Sequence, residues 1–323
     1  MDTSIEIPGK QHLPDLEHYF TPPRNLEPTP QTSAVATSAV SFLRRHQPDL
    51  DAAYCDKICR VLANGEIHYY NHPESDPEKM QLLADFMVWF TVFDDHYVEN
   101  KTTDQMTDLA HRLLTLVRIP PDGASEPEPG PAAALGELFI RCASLSSRHR
   151  ADIHDAVYSI LIAWIWDAQT NAHRNWPTLE TYKIMRPHCA GLWLHHALIE
   201  PASGLSLSDH DRNEAAYRRL AEAYVNINSW VNDVYSFTKE TKDSKSLPIS
   251  LPGVLMRDHG CTLEEAFIRA KEIIHNEADS AASAIDELSH SPSHPLREYA
   301  QCIGRILGCN LFFYTKSARD RYR

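Results

Sequence analysis

The sequence predicts an all-α protein in which a single helical domain contains most of the chain. Apolar residues make up 43% of the 323 residues, so the chain can bury a sizeable core. Apolar positions recur with helical periodicity, and no alternating strands joined by Asn-Gly or Asp-Gly turns occur. No repeat at solenoid spacing interrupts this pattern. Together these observations favour one α-helical bundle.

The predicted elements follow in chain order. Residues 1–35 include the proline-rich stretch TPPRNLEPTP and are expected to form an extended arm. The helical domain is predicted over 36–323, and its stretch 77–99 begins with proline at a first helical position and stays apolar for several turns. The proline-rich segment 119–131 is predicted to be a loop within the domain, because neither flank carries a self-sufficient pattern. Similar periodicity predicts helices over 103–118, 132–144, 147–173, 178–200, 208–240, 262–288 and 294–318.

Composition narrows the class of partner and the compartment. The formal net charge of −13 argues against nucleic acid or an anionic membrane surface as the main partner. Seven scattered cysteines fit reduced thiols better than a disulfide framework. The N-terminus lacks a signal-peptide pattern, and no apolar stretch is long enough to span a bilayer. We therefore expect a cytoplasmic protein without membrane insertion.

A cluster of acidic residues stands at the C-terminal end of a strongly apolar predicted helix. Asp94, Asp95 and Glu99 follow the run FMVWFTVF, at a helix end where the dipole is already negative. A divalent cation would relieve this repulsion, and hard oxygen ligands favour Mg²⁺, Mn²⁺ or Ca²⁺ over zinc. Phe90 lies one turn before Asp94 and should share its face, which indicates an apolar pocket beneath the acids. The alternative is a solvated helix end that runs into a polar loop.

A second polar stripe lies on the long helix predicted over 208–240. Asn232, Ser236 and Glu240 recur every fourth residue, so their side chains stack along one face. An amide oxygen, a hydroxyl and a carboxylate can converge on one hard cation and leave positions open for water and substrate oxygens, which suits Mg²⁺. Lys239 lies beside Glu240 and suits an anion bound by the same ion. The alternative is an exposed polar edge of an amphipathic helix.

Taken together, the two clusters resemble the metal-binding motifs of class I terpene synthases. DDHYVE at 94–99 is similar to the aspartate-rich motif of that family in its DDxxxE form, and NDVYSFTKE at 232–240 is similar to its second metal motif. Arg186 lies 46 residues before Asn232, about where the family carries a pyrophosphate-sensing arginine. RYR at 321–323 resembles the family's terminal Arg-Tyr pair, and motif order agrees from residue 90 onward.

The resemblance implies a class I terpenoid synthase α-helical bundle around a central apolar cavity, with the two motifs facing each other across it. It also implies three Mg²⁺ ions, for which Mn²⁺ is an alternative. Asp94 would bind two of these ions, with weaker contributions from Asp95 and Glu99. The third ion would be bound by Asn232, Ser236 and Glu240.

The resemblance further implies the groups that act on the substrate. The diphosphate would be held by Arg186, Lys239, Arg321 and Tyr322, and Arg319 competes with Arg321 for its role. The catalytic set would be Arg186 with the aromatic side chains Phe90, Phe312 and Phe313. Two departures from the family pattern occur. Cys189 replaces an acidic residue found in some relatives, and Phe312, Phe313 and Tyr314 stand where a tryptophan is usual.

The implied activity is a lyase reaction. A Mg²⁺-dependent enzyme would ionise and cyclise an allylic diphosphate, with farnesyl diphosphate as the expected substrate, to a sesquiterpene hydrocarbon or alcohol and pyrophosphate. The chain size and single bundle suit a microbial or fungal sesquiterpene cyclase, and the resemblance implies a monomer or homodimer. Alternatives are a monoterpene or diterpene cyclase, a trans-prenyl diphosphate synthase, which would need a second DDxxD motif, and a non-enzymatic helical scaffold. Product identity depends on pocket contour, which the motifs do not encode.

Overall fold

The computed structural model of the chain describes residues 14–21, 29–62, 76–98, 102–118, 130–173, 175–244 and 247–314. Within these ranges the regular secondary structure consists of helices, and no strand occurs. The all-α prediction is therefore confirmed. No helix in the same ranges is both long and apolar enough to cross a membrane.

The helices are numbered in chain order. The first are α1 (Pro30–His46), α2 (Ala52–Val61), α3 (Pro77–Phe93), a π-helical turn (Asp94–Val98), α4 (Thr103–Arg118), α5 (Pro131–Arg141), a 3₁₀ turn (Cys142–Ser144) and α6 (Ser147–His173). The remainder are α7 (Leu179–Cys189), α8 (Leu192–Ala202), α9 (Asp209–Asn213), α10 (Ala215–Ser244), α11 (Leu251–His259), α12 (Leu263–Ser289) and α13 (His294–Phe312).

The N-terminal arm ends earlier than predicted. Helix α1 begins at Pro30, five residues inside the arm predicted to end at residue 35. Its start is set by a capping box between Thr29 and Thr32, together with proline in the first helical turn. The sequence pattern missed this helix because its cap lies inside a proline-rich stretch that reads as extended chain. The short helices α2 and α11, of 10 and 9 residues, were also not predicted.

Two predicted helices change their geometry at candidate site positions. The helix predicted over 77–99 is α-helical only to Phe93 and continues as the π-helical turn. The helix predicted over 178–200 is divided into α7 and α8 at Gly191, which has a φ of 68° and so lies in the left-handed region. Periodicity alone does not reveal such breaks, because the apolar spacing continues through them.

The sequence predicts one domain, whereas the helices fall into two compact units. The unit here called the N-terminal unit contains α1–α6 and α8, and the C-terminal unit contains α9–α13 and α7 up to Pro187. Helical periodicity indicates which residues are buried but not which helices pack together, so this division is absent from the sequence pattern.

Each unit is built around one helix that carries a candidate motif. In the N-terminal unit, α3 packs against α1, α5 and α8, and nearly all its residues from Met80 to Phe93 are buried. A helix that is apolar on all sides is typical of a core position. In the C-terminal unit, α10 packs against α11, α12 and α13. The polar stripe therefore lies on α10 itself, and the acidic cluster lies on the turn that follows the buried helix α3.

Candidate active site

The polar stripe of the C-terminal unit lies on α10, as the sequence predicts. Ser236 is buried, with 4% of its surface exposed, whereas Asn232 and Glu240 are half-buried. The three side chains are separated by one helical turn each, so one face of α10 presents an amide, a hydroxyl and a carboxylate. The alternative of a solvent-exposed polar edge is wrong, because none of the three residues is exposed.

The Asn232 amide is held by a hydrogen bond at each end. Its Oδ1 accepts from Arg186 Nη2 at 3.0 Å, and its Nδ2 donates to the Tyr314 hydroxyl at 3.0 Å. The Tyr314 ring is in turn stacked on Tyr235, with centroids 5.1 Å apart. Arg186, the candidate pyrophosphate sensor on α7, is therefore in direct contact with the motif of α10.

Asp233 anchors this arrangement from the buried side of α10. Its side chain is 1% exposed, and Oδ1 accepts from Arg186 Nε at 2.7 Å. Its Oδ2 accepts from the Tyr182 hydroxyl at 2.6 Å and from the Leu251 backbone N–H at 2.9 Å. Sequence reasoning missed both Asp233 and Tyr182. The available signal was a carboxylate placed between the buried residues Val231 and Val234, where only a fixed set of donors permits its burial.

Burial of the Glu240 carboxyl determines its protonation. Loss of solvent raises the pKa of Glu240, and this effect exceeds the lowering by a polar contact from Ser236, by the Arg186 charge and by Lys239. Burial and the Asp233 carboxylate likewise raise the pKa of Tyr182 well above its usual range, so its hydroxyl stays a donor. The Glu240 face of α10 is therefore a place where added positive charge is favourable.

The donor set of α10 fits a hard divalent cation. The buried Ser236 Oγ has no hydrogen bond of standard geometry to any described residue. Such an unsatisfied buried hydroxyl is uncommon in proteins and a cation would satisfy it. Amide, hydroxyl and carboxylate oxygens are the ligands that Mg²⁺ and Ca²⁺ prefer. The part of the chain that is described has no group of three His, Cys, Asp or Glu residues able to hold a metal, so a zinc-type set is not seen there.

The acidic cluster of the N-terminal unit lies on the π-helical turn after α3. The Asp94 backbone N–H donates to the carbonyls of Phe90 and Thr91, and its side chain is half-buried. Asp95 Oδ2 accepts a hydrogen bond from the Tyr54 hydroxyl of α2 at 2.7 Å. Asp95 thus ties α2 to the motif, and its weaker metal role stays a prediction. π-helical turns are rare in proteins, and those that occur are frequently found at functional sites.

Aromatic rings of α3 pack around Trp164 of α6. Trp164 is 1% exposed, and its ring is stacked on Phe93 at 4.8 Å and on Phe90 at 5.5 Å between centroids. Its Nε1 donates to the Cys189 carbonyl at 3.1 Å, which ties α6 to the end of α7. Phe90 and Phe93 therefore belong to an aromatic cluster centred on Trp164, and an apolar pocket beneath the acids stays a prediction.

The Phe90 ring packs directly against Gly191, where a larger residue would not fit. A Cβ atom at Gly191 would overlap the Phe90 ring, and the φ of 68° is strained for any other residue. Gly191→Ala is expected to lower the free energy of unfolding by about 3 kcal/mol, from backbone strain plus overpacking. Urea denaturation monitored by circular dichroism measures this loss.

A matched glycine separates strain from overlap. Gly260 has a φ of 63°, and a Cβ atom there would meet nothing within 4 Å. Gly260→Ala is therefore expected to cost only about 1 kcal/mol, from strain alone. If the free energy of unfolding falls by the same amount in both variants, the Phe90 ring can move away from the added methyl group at no cost and is not held by its packing.

Several predicted residues fall outside the part of the chain that is described. These are Glu99, Arg319, Arg321 and Tyr322, and the side chain of Phe312. Phe313 is 7% exposed and packs edge-on against Tyr314, with centroids 5.2 Å apart. Lys239 is half-buried beside Glu240. Cys189, which replaces an acid of some relatives, is buried and its thiol donates to the Ala163 carbonyl at 3.5 Å.

Comparison with known proteins identifies the family. The family model for terpene synthase family 2, C-terminal metal binding, matches residues 85–280, which include Asp94 and the polar stripe of α10. The chain belongs to this family. This terpene synthase is 31% identical over 319 residues to a (12E)-labda-8(17),12,14-triene synthase of Streptomyces anulatus, and the match covers 96% of the chain and 95% of the relative.

Further matches agree with this assignment. The terpene synthase is 27% identical over 200 residues to 4-epi-cubebol synthase ((2E,6E)-farnesyl diphosphate cyclizing) of Streptosporangium roseum. This match covers 61% of this chain and 60% of the relative. The solved structure of 2-methylisoborneol synthase from Streptomyces coelicolor superposes with a TM-score of 0.77 at 15% identity, over 94% of this chain and 97% of that chain.

The family membership confirms the central predictions from the sequence. The protein is a microbial class I terpene synthase with the α-helical fold of that class. It is a lyase that acts on prenyl diphosphates, and its family binds a divalent metal. The alternative of a non-enzymatic scaffold is wrong. That the two motifs face a common cavity stays a prediction.

Proposed function

We propose that this terpene synthase uses Mg²⁺ held at both motifs to ionise an allylic prenyl diphosphate. Asn232, Ser236 and Glu240 would hold one ion, and Asp94 would hold two more, with weaker contributions from Asp95 and Glu99. The observation that carries the proposal is the buried Ser236 hydroxyl, which has no hydrogen bond of standard geometry to a described residue and stands between an amide and a carboxylate on one face of α10. When bound, Mg²⁺ would supply charge that stabilises the departing diphosphate.

The basic residues would bind the diphosphate directly. Arg186 has a planar guanidinium suited to two diphosphate oxygens, and Lys239 provides a compact second charge. The resemblance adds Arg321 and Tyr322 to this set. In the proposed reaction the C–O bond of the allylic diphosphate breaks and the electron pair leaves with the diphosphate. The carbocation then cyclises and ends by losing a proton or by capturing water.

The aromatic residues would protect the carbocation. Phe90 packs on Trp164 in the N-terminal unit, and Phe313 is buried beside Tyr314 in the C-terminal unit. Aromatic faces attract a cation by about 0.5–2 kcal/mol per contact and offer no nucleophile. Excluding water has the further effect of preventing premature capture of the cation. Phe312 is proposed for the same role by resemblance.

Two substrate lengths are supported by different relatives. Farnesyl diphosphate, the substrate expected from the sequence, is named for the 4-epi-cubebol synthase relative. The labdatriene synthase relative is named for a diterpene product and covers more of the chain, which favours a 20-carbon diphosphate as the second candidate. Farnesyl diphosphate stays the first proposal because the size of the chain suits a sesquiterpene cyclase.

The compartment and assembly state are also proposed. None of the seven cysteines, all of which lie in the described ranges, forms a disulfide, and this supports a reducing compartment such as the cytoplasm. A monomer or homodimer is proposed for the assembly.

Product analysis tests the proposed function. The purified protein would be incubated with geranyl, farnesyl and geranylgeranyl diphosphate and with a bicyclic labdane diphosphate, each with Mg²⁺ or with EDTA. We expect a hydrocarbon or alcohol, detected by gas chromatography and mass spectrometry, only when Mg²⁺ is present. Products from the 20-carbon substrates alone would select the second candidate. A longer diphosphate would indicate chain elongation and would contradict the proposal, as would activity that survives removal of the metal.

A further inference from the structure

Arg186 makes hydrogen bonds to two adjacent residues of α10. Its Nε donates to Asp233 Oδ1 at 2.7 Å, and its Nη2 donates to Asn232 Oδ1 at 3.0 Å. The second acceptor is the same oxygen that the proposed function assigns to the metal. The candidate diphosphate sensor therefore contacts a candidate metal ligand directly.

The orientation of the Asn232 amide follows from its partners. The Tyr314 hydroxyl accepts from Nδ2, and the Arg186 guanidinium has only donors. Exchanging the oxygen and nitrogen of the amide would place its N–H group against the guanidinium. The hydrogen-bond network thus requires Oδ1 to point toward Arg186.

Asp233 fixes the other end of the guanidinium. Its carboxylate is 1% exposed and is held in place by the Tyr182 hydroxyl and the Leu251 backbone N–H. These two donors come from α7 and from the start of α11, so the carboxylate has little freedom to follow a moving arginine. Asp233 therefore acts as a fixed acceptor for Arg186.

A metal ion at Asn232 Oδ1 conflicts with this position of Arg186. Mg²⁺ binds oxygen at about 2.1 Å, and Nη2 lies 3.0 Å from the same oxygen, so the two cations would be within about 5 Å of each other. Charges of the same sign at that distance in a half-buried site repel strongly. Arg186 has to withdraw, or an anion has to be bound between the two cations.

We propose that Asp233 is a positioning residue that holds Arg186 over Asn232 Oδ1, so that the guanidinium occupies this oxygen until a diphosphate draws it away. The inference rests on the proposed metal role of Asn232, Ser236 and Glu240. It makes metal binding at α10 conditional on diphosphate. Metal without diphosphate would have to displace Arg186, whereas diphosphate provides the arginine with a new partner.

Direct metal binding tests this inference without an activity assay. Mn²⁺ affinity would be measured by electron paramagnetic resonance, with and without inorganic pyrophosphate, in an Asp94→Asn/Asp95→Asn/Glu99→Gln background that removes the predicted ligands of the other motif and is called the Asp94→Asn parent below. We expect Asp233→Asn to bind Mn²⁺ about fivefold or more tightly than its parent in the absence of pyrophosphate, and to lose most of the enhancement by pyrophosphate. An increase in Mn²⁺ affinity is diagnostic, because the loss of the Asp233 negative charge would by itself weaken cation binding. Weaker or unchanged Mn²⁺ binding by Asp233→Asn would overturn the proposal.

Asp85→Asn is the matched control. Asp85 is also a buried aspartate that accepts from an arginine, Arg141, but it lies in α3 of the N-terminal unit. Its replacement removes the same charge and an equivalent ion pair, and we expect no change in Mn²⁺ affinity. A gain equal to that of Asp233→Asn would show that the effect is not local to α10 and would also overturn the proposal.

Arg186→Lys is a second, independent test of the inference, and it remains usable if Asp233→Asn does not fold. Lysine keeps the positive charge near α10 but lacks the fork that reaches Asp233 and Asn232 together. Tighter Mn²⁺ binding by Arg186→Lys supports the occupation of Asn232 Oδ1 by Arg186, and unchanged binding contradicts it.

A different outcome would show that the proposed function, and not only this inference, is wrong. If the Asp94→Asn parent binds no Mn²⁺ even with pyrophosphate, the metal assignment to α10 is wrong.

Discussion

Glu240→Gln is expected to lower kcat/KM for the prenyl diphosphate by about a thousandfold, because a catalytic metal contributes several kcal/mol to charge stabilisation. Glutamine keeps the size of the side chain but removes the anionic ligand from α10. Steady-state release of pyrophosphate at saturating Mg²⁺ measures the loss. Activity within a fewfold of the wild-type value would exclude Glu240 as a metal ligand.

The same substitution should stabilise the metal-free protein. Burial raises the pKa of the Glu240 carboxyl above its unfolded value of 4.5, so the ionised form disfavours folding. Below about pH 4.5 the carboxyl is protonated in both states, and this penalty is absent. The penalty develops as the pH rises through the folded-state pKa. Thermal unfolding in EDTA should therefore show Glu240→Gln more stable than the wild type at pH 8, with the difference vanishing toward pH 4.5.

Glu277→Gln is the control for this effect. Burial also raises the pKa of the half-buried Glu277 on α12, which lies outside the metal motif. Glu277→Gln should also raise the free energy of unfolding of the metal-free protein at pH 8, and it should leave kcat/KM unchanged. Loss of activity in both variants would point to a general disturbance of the C-terminal unit rather than to a missing ligand.

Ser236→Ala is expected to reduce kcat/KM by about a hundredfold and to raise stability. The activity falls because one of three metal ligands on α10 is removed, an effect at least as large as the loss of an outer-shell partner. The free energy of unfolding should rise by about 1 kcal/mol, because the buried Ser236 Oγ has no standard hydrogen bond to the described residues in the metal-free protein. Urea denaturation in EDTA, paired with pyrophosphate release, measures both quantities.

Ser229→Ala on the same helix should show the opposite pattern. Ser229 is fully buried, and its Oγ donates to the Val225 carbonyl at 2.6 Å. Losing this hydrogen bond should lower the free energy of unfolding by about 1 kcal/mol and leave kcat/KM within about twofold. Stability falling in both variants would mean that the Ser236 hydroxyl is satisfied within the protein and has no need of a cation.

The candidate site was predictable where its residues share one helix. Asn232, Ser236 and Glu240 lie on one face of α10 because 3.6 residues make a turn, and that register is visible in the sequence. The aspartate-rich motif was likewise recognisable, but its geometry was not. The π-helical turn and the Tyr54–Asp95 hydrogen bond both depend on how α2 and α3 pack.

Partners distant in the chain were not predictable from pattern. Tyr314 is 82 residues from Asn232, and Tyr182 is 51 residues from Asp233. Their hydrogen bonds exist only because α7 and the end of α13 pack beside α10. Asp233 was not singled out in the sequence, and its three donors show that it is an anchor.

The sequence by itself determined the helical class, the family and the register of the metal motif on α10. These properties depend on spacing along the chain, which the covalent order and the helical period specify completely. The tertiary structure alone decided that Arg186 is bonded to Asn232 and Asp233, that Asp95 is engaged by Tyr54, and that Phe90 needs a glycine at 191. Those outcomes depend on which side chains meet after packing, and a buried polar group takes whichever partner the packed helices bring within reach.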